Sequence, residues 1–212
     1  MGPNPESRAA ALDKCKRSLH LANRIGARCC VNITGSRGEK WDGPHVLDLT
    51  DETFDMIVAT TREIIDAVKP TRTFYTLEMM QWAYPDSADC YVRLLNAIDR
   101  ERCAVHVDPV NIVNSPQRYF NTGALIRECF AKLGPRIRSC HAKDVTLRNM
   151  ALVHLDEVRP GLGKLDYAVY LDELSRIDPD MPLMLEHLPN ADEYALAAGH
   201  IRDVAAHRGY IL

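Results

Sequence analysis

The chain has 212 residues, 46% hydrophobic and 26% charged, enough apolar material for one compact domain or for part of a larger barrel. Its 26 Lys and Arg and 29 Asp and Glu are interspersed and leave a formal net charge of -3, so no positive field draws it to nucleic acid or anionic lipid. No apolar run reaches the ~18 residues of a membrane span, no basic-then-apolar signal opens the chain, and seven cysteines without a CxxC pair read as small buried hydrophobes of a reducing compartment, which together predict a soluble, cytoplasmic protein.

In chain order, the first helix pattern runs over residues 7–25, with Leu12, Cys15, Leu19 and Ala22 at three- and four-residue spacing and Gly26 as its stop. Residues 29–33 form a short apolar run that predicts a buried strand. A polar loop over 36–44 leads to a second helix, capped by Thr50, striped by Phe54, Ile57, Val58, Ile64, Ile65 and Val68, and ended by Pro70. Residues 71–78 predict a strand, Asp86 caps a helix to residue 99, and 103–108 predict the next strand. A helix over 122–133 is closed by Gly134-Pro135. The remainder reads as strand 136–141, helix 166–177, strand 182–186 and a last helix over 190–207. Short buried strands alternating with amphipathic helices imply parallel pairing with right-handed crossovers. No composition change marks a boundary, so residues 1–212 read as one α/β domain of five βα units.

Four consecutive strand ends carry chemistry: Thr76-Leu77-Glu78, His106-Val107-Asp108, Ser139-Cys140-His141 and Met184-Leu185-Glu186. Their gaps of 30, 33 and 45 residues (108 − 78, 141 − 108, 186 − 141) are close to the ~30 residues of one βα unit. In parallel α/β folds the C-terminal strand ends converge on one mouth, so these four groups are expected to meet. Crowded carboxylates repel, and burying them unpaired is costly, so a divalent cation is the natural counterion. Three oxygen donors and one imidazole suit Mn²⁺ first, with Mg²⁺, Co²⁺ or Zn²⁺ as alternatives. A single acidic strand end is ordinarily a helix cap or an ion-pair partner, and Asp108 before Pro109 also fits a turn start. Four in succession favour the metal.

The Leu-Glu-Met, Val-Asp-Pro-Val-Asn, His-Ala-Lys-Asp and Leu-Glu-His runs at these strand ends resemble those of the xylose isomerase-like TIM barrel superfamily. Sugar epimerases, sugar phosphate isomerases, inosose-processing enzymes and endonuclease IV-type repair enzymes belong to it. The resemblance implies a (β/α) barrel in which Glu78, Asp108, His141 and Glu186 bind one metal and the two glutamates also shuttle a proton. It implies that Lys143 and Asp144 lie near the substrate, and that the Arg159-Pro-Gly-Leu-Gly run is the family's glycine-rich loop, with Asp166 capping the helix after it. Arg148 and Arg159 are candidates to hold a sugar oxygen or phosphate.

The sequence also departs from the family. Asn111 stands where many relatives carry a histidine, able to hydrogen-bond a hydroxyl but not to act as a base, and Asn32 likewise replaces a histidine at the end of the first strand. Eight βα units need ~250 residues, so the resemblance implies a barrel lacking its first three strands. An open sheet edge would favour association into a homo-oligomer. The expected activity is metal-dependent isomerisation or epimerisation of a small sugar, sugar phosphate or cyclitol, weak in this chain alone. The alternatives are an endonuclease IV-like abasic-site enzyme, which the acidic charge and Asn111 disfavour, and an inactive truncated barrel.

Overall fold

The computed structural model describes residues 1–211. The chain forms two compact units, Met1–His106 with Arg136–Arg138, and Val107–Pro135 with the chain from Ser139 onward.

In the first unit α1 (Pro5–Ile25) begins in a capping box. Asn4 accepts from the Ser7 amide, the Ser7 hydroxyl bonds back to Asn4, and Pro5 occupies the first helical position, where its missing N–H costs nothing. Gly26 ends the helix at φ 73°, a conformation a side chain would strain. Then follow β1 (Cys29–Asn32), α2 (Asp51–Val68), β2 (Phe74–Glu78), α3 (Ala88–Ile98) and the start of β3 (Cys103–Val107). Thr50 caps α2 as expected. The cap of α3 is Ser87 rather than Asp86: the Ser87 hydroxyl accepts from the Cys90 amide. β1, β2 and β3 run parallel, with Asn32 opposite Leu77 and Glu78 opposite His106. Leu19, Ile57, Ile64, Tyr75, Leu77, Tyr91, Leu94 and Ile98 form the core between strands and helices. Each fully buried isoleucine or leucine stabilises by about 1.5–3 kcal/mol relative to exposure.

In the second unit a short 3-10 turn at Val110–Ile112 precedes α4 (Pro116–Tyr119) and α5 (Thr122–Leu133). β4 (Ile137–Ala142) follows, then β5 (Asp144–Leu147), β6 (Leu155–Val158), α6 (Tyr167–Ile177), β7 (Leu183–Leu185) and α7 (Ala191–His207). β4 pairs parallel with β7, His141 opposite Met184, whereas β5 and β6 form an antiparallel hairpin in what the sequence reads as loop. Asp166 caps α6 as expected, its carboxylate accepting from the Val169 amide at 3.0 Å. Ile126, Cys129, Phe130 and Leu133 of α5 and Tyr170, Leu171 and Leu174 of α6 are buried together. The main sheet has strand order β1-β2-β3-β4-β7. No helix among the described residues is long and apolar enough to cross a membrane.

Candidate metal centre

Asp108 is the residue after β3 and is completely buried. Its Oδ1 accepts from the amides of Val110 (3.0 Å) and Asn111 (3.4 Å), so the turn foreseen at Asp108-Pro109 is formed by one oxygen only. The other, Oδ2, faces the ammonium of Lys143 at 2.8 Å and Nδ1 of His141 at 3.6 Å. His141, next to last in β4, also places Nδ1 3.0 Å from Oε1 of Glu186, directly after β7. Lys143 is buried and forms a second ion pair with that Glu186 oxygen. One ligand atom each from Asp108, His141 and Glu186 lies within 4.8 Å of the others.

The electrostatics follow from this packing. Burial pushes the Asp108 carboxyl upward, but the hydrogen bond from His141 and the Lys143 ammonium outweigh it and hold the group well below the usual carboxylate range. Glu186 obeys the same balance: part-burial raises it, His141 and Lys143 lower it, and the result is about 2. Both groups are therefore anionic at neutral pH. Two carboxylates and an imidazole converging in a partly buried site are the donor chemistry of a hard or borderline divalent cation, so the residues fit one.

Glu78 ends β2 in the first unit and is 8% exposed. Its register partner is His106, two residues before Asp108 along β3. Asn32 has a different fate. It shares the register of Leu77, so it projects from the sheet face opposite Glu78, and its amide donates to the Tyr75 hydroxyl at 2.9 Å and approaches Cys15 of α1 at 3.7 Å. Asn32 thus belongs to the helix-covered side of the sheet.

Of the remaining expected residues, Asn111 joins the cluster: its Oδ1 is 3.4 Å from Lys143 Nζ. Asp144, expected near substrate, has another role. It is buried, and its carboxylate accepts from four backbone amides, those of Val145 (2.9 Å), Gly161 (3.0 Å), Gly163 (3.0 Å) and Leu165 (2.8 Å). The glycines let the backbone approach Asp144: a Cβ on Gly163 would fall inside van der Waals contact of Asp144 Oδ1 and the Val145 carbonyl. Arg148 pairs with Asp156 across the β5–β6 hairpin, mostly exposed, and Arg159 pairs with Glu193 at the start of α7 at 2.8 Å. Each arginine thus has a carboxylate partner in the folded chain.

Two tyrosines escaped the sequence reading. The Tyr170 hydroxyl donates to the His141 carbonyl at 3.0 Å and Tyr167 donates to the Lys143 carbonyl at 2.7 Å, fixing the backbone on either side of Ala142. Their signal was present: two tyrosines three residues apart on the apolar face of α6, each with a hydroxyl that needs a partner when buried.

Comparison with known proteins agrees with this architecture. The structure superposes on a xylose isomerase domain protein from Planctomyces limnophilus with a TM-score of 0.71 at 20% identity, covering 95% of this chain and 67% of that one. A xylose isomerase-like TIM barrel protein from Mycobacterium smegmatis, solved with magnesium, gives 0.71 at 17% identity, covering 96% and 68%. A D-psicose 3-epimerase from Clostridium cellulolyticum H10, solved with D-tagatose, gives 0.63 at 15% identity, covering 98% and 72%. No curated protein sequence matches the chain significantly. At these identities the superpositions establish the fold alone. The sequence itself matches the xylose isomerase-like TIM barrel family over residues 1–204, and the chain belongs to that family.

Proposed function

We propose that this chain carries the metal centre of an isomerase or epimerase acting on a small sugar, sugar phosphate or cyclitol, with Glu78, Asp108, His141 and Glu186 as ligands and Mn²⁺ as the ion. The observation that carries the reading is the convergence of Asp108, His141 and Glu186 in one largely buried cluster. The β2–β3 register supports Glu78 as the fourth ligand, since it sets Glu78 beside the strand that leads into Asp108. The sugar epimerase among the structural neighbours supports the substrate class.

A divalent cation there would polarise a carbonyl and its neighbouring hydroxyl and so acidify the C–H bond between them. The chain's own residues would do the rest. Glu186 is anionic at neutral pH and takes the proton as its carboxylic acid, Glu78, having taken a proton from water, returns one on the other face, exchange with solvent resets both, and Asn111 offers an amide to a hydroxyl. The main sheet has five strands, whereas a full barrel mouth is lined by loops from eight, so slow turnover is expected of the chain alone.

The test is deuterium incorporation from D₂O into ketoses, ketose phosphates and inososes, which registers even slow proton abstraction. Exchange that needs Mn²⁺ and is lost in the Glu78→Gln, Glu186→Gln double variant supports the assignment. Exchange that survives the double substitution overturns the acid–base roles. A melting temperature indifferent to EDTA and to Mn²⁺ overturns the metal centre.

A further inference from the structure

Lys143 sits within the cluster in a way that the proposed ligand set does not use. Its side chain is 2% exposed. An ammonium buried to that degree is tolerated only when paired, and its pairing is with Asp108 Oδ2 at 2.8 Å and Glu186 Oε1. Those are the same two oxygens that face His141 Nδ1. The backbone of Lys143 is held by the Tyr167 hydroxyl at 2.7 Å, so the residue cannot withdraw as a whole; only its flexible stem can swing. Asn111 Oδ1, 3.4 Å from the ammonium, is a neutral acceptor already within reach.

Two cations cannot share these oxygens at full strength, because both draw on the same lone pairs and repel each other at close range in a site screened from water. We infer that Lys143 is a resident counter-cation that competes with the metal for Asp108 and Glu186 and thereby sets how tightly the site holds it, an inference that rests on the metal reading above. Lys143 then stabilises the carboxylate cluster by itself and weakens metal affinity. A lysine that merely positioned the two ligands would do the reverse, and its loss would weaken metal binding.

The experiment is calorimetric titration of the EDTA-stripped, dialysed protein with Mn²⁺, comparing wild type with Lys143→Gln and Lys143→Met. Both variants are expected to bind Mn²⁺ at least about tenfold more tightly, while their melting temperatures in EDTA fall below that of wild type. Equal or weaker binding in the folded variants overturns the competition. A second measurement needs no substitution: the ¹³Cε and ¹⁵Nζ resonances of Lys143 in the wild type are expected to shift on saturation with Mg²⁺. Resonances that stay in place at saturation overturn the inference even if both variants fail to fold. A wild type that takes up neither ion overturns the metal reading and this inference together, whereas binding without competition overturns the inference alone.

Discussion

Replacing Asp144 by alanine removes the acceptor of four backbone amides at once. The bonds to Val145 and Leu165 are buried, and those to Gly161 and Gly163 are partly so. A hydrogen bond to a charged group contributes about 1.5–3 kcal/mol net. Four such bonds to one carboxylate are not additive, and the two part-buried amides can turn to water. The two buried amides cannot, and each costs about 1–3 kcal/mol when left unmade. We therefore expect Asp144→Ala to lower unfolding free energy by about 3–4 kcal/mol in a urea titration followed by far-UV circular dichroism. Asp144→Asn should lie only slightly above it, since the amide keeps one acceptor but turns an NH₂ toward amides that themselves donate. Hydrogen exchange offers a local readout: the amides of Gly161, Gly163 and Leu165 should exchange faster in either variant. A loss under about 1 kcal/mol, or unchanged exchange at these three amides, refutes the view that Asp144 anchors the glycine loop.

Gly163→Ala should cost at least about 2 kcal/mol by the same assay, because its Cβ meets Asp144 Oδ1 and a backbone carbonyl rather than a flexible side chain; a neutral result would show that the loop has room to shift. Tyr170→Phe should cost about 1–2 kcal/mol by leaving the buried His141 carbonyl without this donor, and an unchanged urea midpoint would count against the tyrosine as a brace. The pH dependence has a defined sign. Glu186 titrates lower in the folded chain than its ordinary 4.5, at about 2, so its stabilisation is complete above pH 4.5 and lost as pH falls through that window. Discounted for its partial exposure the effect is about 1–2 kcal/mol. In EDTA the stability gap between wild type and Glu186→Gln should therefore close between pH 5 and pH 2, and a gap independent of pH would contradict the charge balance described for the cluster.

Much of the fold was legible because each βα unit repeats one local signal: a short apolar run, a chemical residue at its end, a cap and an amphipathic helix. Thr50, Asp166 and Asn190 cap helices from positions their side chains advertise. The convergence of Asp108, His141 and Glu186 was legible for a related reason, since parallel strands bring their C-terminal ends together whatever lies between them. The β5–β6 hairpin was not. Leu147 and Leu155 are joined by a long connection without a two-residue turn signature, and the half-exposed β6 lacks a clean alternation of burial. The role of Asp144 was hidden too, because its partners Gly161 and Gly163 lie 17 and 19 residues away and only the folded loop brings them to it. The pairing of Arg148 with Asp156 and of Arg159 with Glu193 was hidden as well. A charge on a loop does not announce its partner.

The three clustered side chains are not held alike, and the difference bears on the chemistry proposed for them. Asp108 is pinned by two turn amides on one oxygen and an ammonium on the other. His141 lies inside a strand paired to β7, with its carbonyl held by Tyr170. Glu186 follows a strand of only three residues; its Oε1 is held by Lys143 and by His141 at 3.0 Å, while its Oε2 faces the His187 ring at 3.7 Å. It is also the most exposed of the three side chains, at 24% against 11% and 0%. A group that only binds a cation gains from rigidity, because a ligand already held in place has little freedom left to lose when the ion arrives. A group that must also collect a proton from a substrate carbon needs a face open to that substrate. Asp108 and His141 have the first property and Glu186 the second, which is the division of labour expected of two fixed ligands and one ligand that doubles as the base.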